Sequence, residues 1–345
     1  RDEAERRVAN GEAHVIRLAV PLEGSIVMED LIRGRIEIRW EQVDDQVLIK
    51  SDGLPTYHLA ATCDDHDMEI SHVLRGDEWI SSLPKHIFIA ECFGWTPPQY
   101  AHLPLLLNAD HSKLSKRQGD VAVEDYLAKG YLPDALVNFV ALLGWNPTND
   151  REIFTKEELA GLFDVTKVNK AGAVFNVEKL DWMNGEYLKR FSAEEYLAYA
   201  RPFLHGIGAE DARAIDRACL LVRDRLHAGH ELPALTAFLF AERLPVDPSL
   251  LPWKTQPTSE TRERLRDVRA WLAEKREEWF EETSAIETDL RAWIAERGWG
   301  NGEVLWPLRV ALSGQKQSPG PFELIFAYGK AFSLDRIDDA IASLI

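Results

Sequence analysis

Cysteine is scarce: Cys63, Cys92 and Cys219 are the only three in 345 residues. Thiols so few and scattered exclude a disulfide framework and a four-ligand zinc site, and they suit a reducing compartment. Long apolar runs are absent too. No stretch of about 18 apolar residues offers a membrane-spanning helix, no signal-peptide pattern is read, and the expected location is cytoplasmic. Positive charge is in deficit, with 40 Lys and Arg against 57 Asp and Glu and a formal net charge of −17. No overall field then draws the chain to nucleic acid or to an anionic membrane, so any polyanion has to be met by a local basic patch. Internal repeats and low-complexity tracts are missing. So is an initiator Met: the chain opens on Arg1-Asp2-Glu3-Ala4-Glu5-Arg6-Arg7, a charged, helix-prone stretch that reads as cut into a longer sequence.

What is present is a globular composition, 46% hydrophobic and 28% charged, in a chain long enough for two or three domains. Residues 13–50 read as β, closing on Val47-Leu48-Ile49-Lys50 before the turn Ser51-Asp52-Gly53. Residues 54–110 alternate strand and helix, with a short strand at His72-Val73-Leu74-Arg75, a helix over 82–93 stopped by Gly94, and a strand at 103–107. That alternation predicts a parallel sheet. Asp64, Asp65, His66 and Asp67 read as a solvated turn rather than a metal cluster. From residue 121 the pattern is helical. Leu136, Phe139, Val140 and Leu143 form a stripe behind Pro133. Thr155 with Glu158, Ser192 with Glu195 and Ser284 with Glu287 have capping-box spacing. A long helix is expected over 259–280, another starting at Pro321, and a last one capped by Ser333.

The stretch His111-Ser112-Lys113-Leu114-Ser115-Lys116-Arg117-Gln118-Gly119 follows a strand end, where ligands sit in open α/β sheets. Lysines there suit phosphate, as compact charges on mobile stems. On spacing alone a solvated lysine loop fits as well. Beside it stand Ser51-Asp52-Gly53-Leu54-Pro55-Thr56-Tyr57-His58-Leu59-Ala60, then Asp64-Asp65-His66, then His72-Val73-Leu74-Arg75-Gly76-Asp77-Glu78-Trp79. Residues 113–117 resemble the second signature loop of class I aminoacyl-tRNA synthetases. The four motifs together, in order, resemble the glutamyl-tRNA synthetases of bacterial type. Residues 175–184 and 308–314 extend the likeness over nearly the whole chain.

The resemblance implies an α/β plus all-α architecture: the C-terminal half of a class I Rossmann-like catalytic domain, followed by helical stem-contact and anticodon-binding domains. The expected segments are 1–45, the remainder of an acceptor-stem-binding insertion; 46–120, the second half of the catalytic domain; 121–190, stem contact; and 191–345, the anticodon-binding domain. The implied chemistry is carboxylate activation: glutamate attacks the α-phosphate of ATP, and the adenylate passes to the terminal ribose of tRNA(Glu). Such transfer asks for positioning and charge stabilisation. By resemblance Lys116 and Lys113 act as catalytic lysines, Lys116, Trp79 and His102 meet ATP, and Tyr57 and Arg75 bind glutamate. Read without the family, Arg75 is equally a strand-end ion pair with Asp77 or Glu78, and Tyr57 a core tyrosine. ATP comes as its Mg2+ complex, with no protein-bound metal expected. Arg201, Arg225, Arg309 and Lys316 are candidate tRNA contacts, within patches that include Arg213, Arg217 and Arg223, with Trp306 and Phe322 available to stack on bases.

The family's first signature, a His-containing tetrapeptide, and its cysteine-rich zinc segment are not found. The expectation is therefore a chain lacking its N-terminal catalytic half, inactive or weakly active by itself, and a monomer when complete. The competing expectations are a non-catalytic tRNA-binding or assembly fragment and a glutaminyl-tRNA synthetase paralogue.

Overall fold

The computed structural model of the protein describes residues 2–114, 122–147, 150–206 and 211–344. Its earlier elements are α1 (Asp2–Ala9), β1 (Ile16–Arg17), β2 (Ser25–Asp30), β3 (Gly34–Arg39), β4 (Val47–Ile49), α2 (Tyr57–Asp67), β5 (His72–Gly76), α3 (Leu83–Cys92), β6 (Gln99–Leu103) and β7 (Leu106–Leu107). There follow α4 (Val123–Ala128), α5 (Pro133–Gly144), α6 (Lys156–Leu162), β8 (Ala173–Val174), α7 (Val177–Leu188), α8 (Ala193–Ala200) and α9 (Ala212–Val222). The last are α10 (Leu232–Phe240), α11 (Thr258–Ala273), α12 (Thr283–Glu296), α13 (Asn301–Ser313) and α14 (Pro321–Ser343). Two compact units result, Arg1–Ala122 with Leu136–Val177, and Val123–Ala135 with Glu178–Ile345. By packing, residues 136–177 join the sheet-bearing unit, and 123–135 join the helical one.

In the first unit a four-stranded sheet runs in the order β3-β2-β6-β5. β2 and β3 form an antiparallel hairpin, and β6 lies parallel to both β2 and β5. Residues 25–39, expected within an insertion, thus belong to the same sheet as β5 and β6. Alternation in β2 turns Ile26, Met28 and Asp30 inward, against Trp40, Val43, Leu83 and Tyr100. α3 is the crossover between β5 and β6, and Gly94 at φ 72° ends it in the left-handed region. The strand expected at 103–107 is divided at Pro104, which has no N–H for a ladder. Leu106 and Leu107 pair instead with Ala173 and Val174. The acidic run at 64–67 is the last turn of α2, not a loop: Thr62 is buried while Asp64 and Asp67 face out, so the helix continues with its acids solvated. Ile32, Ala101, Trp145, Phe154, Leu159 and Val168 form a second core. Buried Asn138 ties its edge, accepting from Phe154 N–H at 2.7 Å and donating to the Glu152 carbonyl at 3.0 Å.

In the second unit, Leu188, Tyr196, Leu204, Val222 and Leu232 form one core. Leu265, Val268, Leu272, Leu308, Ile325 and Ile337 belong to a larger one. The capping boxes at Thr155 and Ser192 both form. The third does not: α12 starts at Thr283, and the Ser284 hydroxyl donates to Glu282 at 2.6 Å. The helix expected over 259–280 stops at Ala273, with a separate 3-10 turn at Glu277–Glu281. Ser333 caps nothing, being fully buried inside α14. That helix breaks instead at Gly329, where φ 68° and ψ −168° leave the region open to side chains.

Candidate active site

Parallel strands present their carboxyl ends together, and here three of them contribute one polar residue each. Arg75 on β5 lies in register with His102 on β6, and Asp30 ends β2 opposite Tyr100. His102 is fully enclosed and Asp30 is 4% exposed. The His102 ring meets the Asp30 carboxylate through Nδ1 at 2.6 Å. Arg75 donates from Nε to His102 Nε2 at 3.0 Å. Burial opposes charge on Asp30, but the backbone N–H groups of Arg33, Ile32 and His102 and the His102 ring outweigh it and hold the carboxyl below its ordinary range. Burial, with Arg75 beside it, pulls His102 down against the opposing effect of Asp30. An ionised Asp30 and a neutral His102 result.

Arg75 does not make the strand-end ion pair left open by the sequence. Asp77 takes Arg33 at 2.8 Å, and Glu78 takes Lys113 at 3.8 Å. The Arg75 guanidinium lies 5.3 Å from the Tyr100 ring centroid and 5.8 Å from that of Trp79. Its Nη2 is buried with no hydrogen-bond partner among the described residues. Burial lowers its pKa. Tyr57, at the start of α2, is 56% exposed and stands 5.2 Å from Trp79, centroid to centroid. It is therefore not the core tyrosine of the alternative reading. His86 reaches the same place from α3. Its Nε2 lies 2.9 Å from His58 Nδ1, and burial first, then Arg75, push its pKa down to about 3.

The expected site residues divide accordingly. Tyr57, Arg75 and Trp79 come together. His102 joins them from behind Arg75, with no exposed surface and both ring nitrogens engaged. Lys113 bridges to Leu107 and is exposed, and Leu114 N–H donates to the Leu106 carbonyl at 2.9 Å. Ser115, Lys116 and Arg117 lie outside the described residues. Asp30, His58 and His86 were not anticipated. The signal for Asp30 was an acid continuing the inward alternation of Ile26 and Met28.

Among the basic candidates, Arg201 is held by both Asp216 oxygens, at 2.7 and 2.8 Å. Arg225 donates to the Ser318 carbonyl at 2.9 Å. Arg217 pairs with Glu281, and Arg223 donates to the Phe191 carbonyl. Phe322 is core, 6% exposed, and does not offer a free ring face; Trp306 is half-buried and donates to the Leu250 carbonyl at 2.9 Å. Arg309 differs. It lies over Trp306 at 4.6 Å, and its Nε is buried without a partner among the described residues, while Nη2 donates to the Lys316 carbonyl at 3.0 Å. Lys316 is exposed.

Comparison with known proteins identifies the family and the fold. The catalytic-domain model of the class I tRNA synthetases for E and Q matches residues 1–182, and an anticodon-binding-domain model matches 195–341. A glutamate–tRNA ligase of Chlorobium luteolum is 40% identical over 98% of this chain and 68% of its own length. One of Clostridium novyi is 41% identical over 100% of this chain and 71% of its own. The crystal structure of a glutamate tRNA ligase from Elizabethkingia meningosepticum in complex with its amino acid superposes with a TM-score of 0.86 at 32% identity, covering 100% of this chain and 71% of that one. The fold is thus a class I tRNA synthetase catalytic domain followed by an anticodon-binding domain. Within that class, the chain belongs to the glutamyl-tRNA synthetase family of bacterial type.

Proposed function

We propose that this chain serves in the ligation of L-glutamate to tRNA(Glu), through ATP-dependent formation of glutamyl-adenylate and transfer to the tRNA 3′ end. One observation carries the reading: Arg75 is fixed through Nε, walled by aromatic rings, and keeps a buried Nη2 unpaired. Buried donors are rarely left so, and a carboxylate accepting both Nη groups would complete this one. Tyr57, exposed and 5.2 Å from Trp79, supplies a hydroxyl to the same site. A fixed positive charge prefers glutamate to its neutral isostere glutamine, which would leave the charge uncompensated.

ATP, as its Mg2+ complex, binds against Trp79 and the lysine loop. Lys113 and Lys116 meet charge as it grows on the departing pyrophosphate, stabilisation that counts mainly in the transition state. Arg309 and Lys316 contact tRNA, with Arg201 and Arg225 in support, their own pairings loosening on binding. The test is ATP–pyrophosphate exchange and tRNA(Glu) charging, with L-glutamate against L-glutamine, together with direct L-glutamate binding. Arg75→Leu is expected to lower glutamate affinity by about 10²-fold, the loss of a charge-assisted fork. Equal use of glutamine, or unchanged affinity in Arg75→Leu, would sink the reading.

A further inference from the structure

The Asp30–His102 pair sits behind Arg75 and touches no candidate ligand, yet both residues are buried, Asp30 4% exposed and His102 not at all. Asp30 accepts from Ile32 N–H at 3.0 Å and Arg33 N–H at 2.8 Å, so its carboxylate is fixed by the turn that follows β2. It also accepts from the His102 backbone, at 3.1 Å to one oxygen and 3.3 Å to the other. An ionised carboxylate only accepts, which assigns the His102 proton to Nδ1. A guanidinium only donates, which requires Nε2 to be bare. The two neighbours therefore demand the same tautomer of one ring, from opposite sides.

We propose that Asp30 and His102 are positioning residues for Arg75: Asp30 selects the Nδ1–H tautomer of His102, and the bare Nε2 then takes the Arg75 Nε–H, leaving both Nη groups aimed for a carboxylate. This rests on the reading that Arg75 receives glutamate. A guanidinium bound by its Nε cannot rotate its fork away, so less order has to be imposed when the ligand arrives. The neutral relay adds an acceptor without adding negative charge next to Arg75, so the positive charge stays available to the ligand. A carboxylate placed directly against Nε would instead cancel it. The charged groups facing His102 are Asp30 from β2, Arg33 from the following turn and Arg75 from β5.

Asp30→Asn keeps the shape but replaces an acceptor with an amide whose N–H2 can donate to Nδ1. The His102 proton then moves to Nε2 and opposes the Arg75 Nε–H. Two readouts test this in the full chain. Imidazole 15N spectra are expected to give a protonated Nδ1 and bare Nε2 in the parent, and the reverse in Asp30→Asn. L-glutamate binding by calorimetry is expected to weaken about tenfold in Asp30→Asn, one hydrogen bond's worth of positioning. His102→Gln, whose amide oxygen can still accept from Nε, should recover most of that affinity, which a purely structural role for the ring would not allow. If Arg75→Leu loses glutamate but Asp30→Asn binds it within twofold of the parent, or keeps the parent tautomer, the relay is overturned while the glutamate site stands. If Arg75→Leu binds as the parent does, the site reading falls and the relay with it.

Discussion

Acidification should loosen α3, chiefly through His86. His86 is 2% exposed, with a pKa pushed down to about 3 by burial and by Arg75. In the unfolded chain the same ring titrates at its ordinary 6.5. Between those values the unfolded state binds a proton that the folded state refuses, so stability falls as pH falls through 6.5 and keeps falling toward 3. The loss is about 1.4 kcal/mol between pH 7.5 and 5.5, and about 2.7 kcal/mol by pH 4.5, each pH unit below the unfolded value adding about 1.4. His58 is lowered in the same sense, chiefly by burial, so the comparison has to isolate His86. Hydrogen exchange of the Leu83–Cys92 amides, corrected for intrinsic rates, gives the opening free energy at each pH. His86→Gln should flatten its dependence by the stated amounts while keeping an amide near His58. A variant whose protection drops as steeply as the parent's would refute the reasoning. So would a His86 ring that titrates near pH 6 in the folded protein.

Gly329→Ala, at φ 68° and ψ −168°, is expected to cost about 1–3 kcal/mol in thermal denaturation, the strain of a side chain in that region. Asn138→Ala removes the bonds to Phe154 and Glu152 and should lower the urea midpoint by the equivalent of about 1–3 kcal/mol without changing the slope. Arg309→Ala should weaken tRNA binding and reduce the salt dependence of log affinity by about one unit of slope, read from a titration between low and moderate salt. An unchanged slope would mean that Arg309 meets no phosphate.

Much of the scaffold was legible along the chain because its signals are local. Gly94 stops α3, Pro321 starts α14, and Thr155 and Ser192 cap their helices, since each such device involves residues within a turn of one another. The same locality explains the errors. Ser284 had the right spacing but not the right first turn, and Ser333 lost to Gly329 because burial and backbone conformation, not composition, decide where a helix breaks.

The candidate site divides along the same line. Tyr57, Arg75, Trp79 and the lysine loop were singled out by the order of motifs, which is a property of sequence, and the family was legible in the same way. The partners of Arg75 were not. Asp30 and His102 are 72 positions apart, and Arg75 and His102 are 27 apart. Periodicity says which face of a strand a side chain takes; it does not say which strand lies next door. The order β3-β2-β6-β5 brings three carboxyl ends together. Only there do an acid, an imidazole and a guanidinium, each unremarkable along the chain, fix one another's protons and aim.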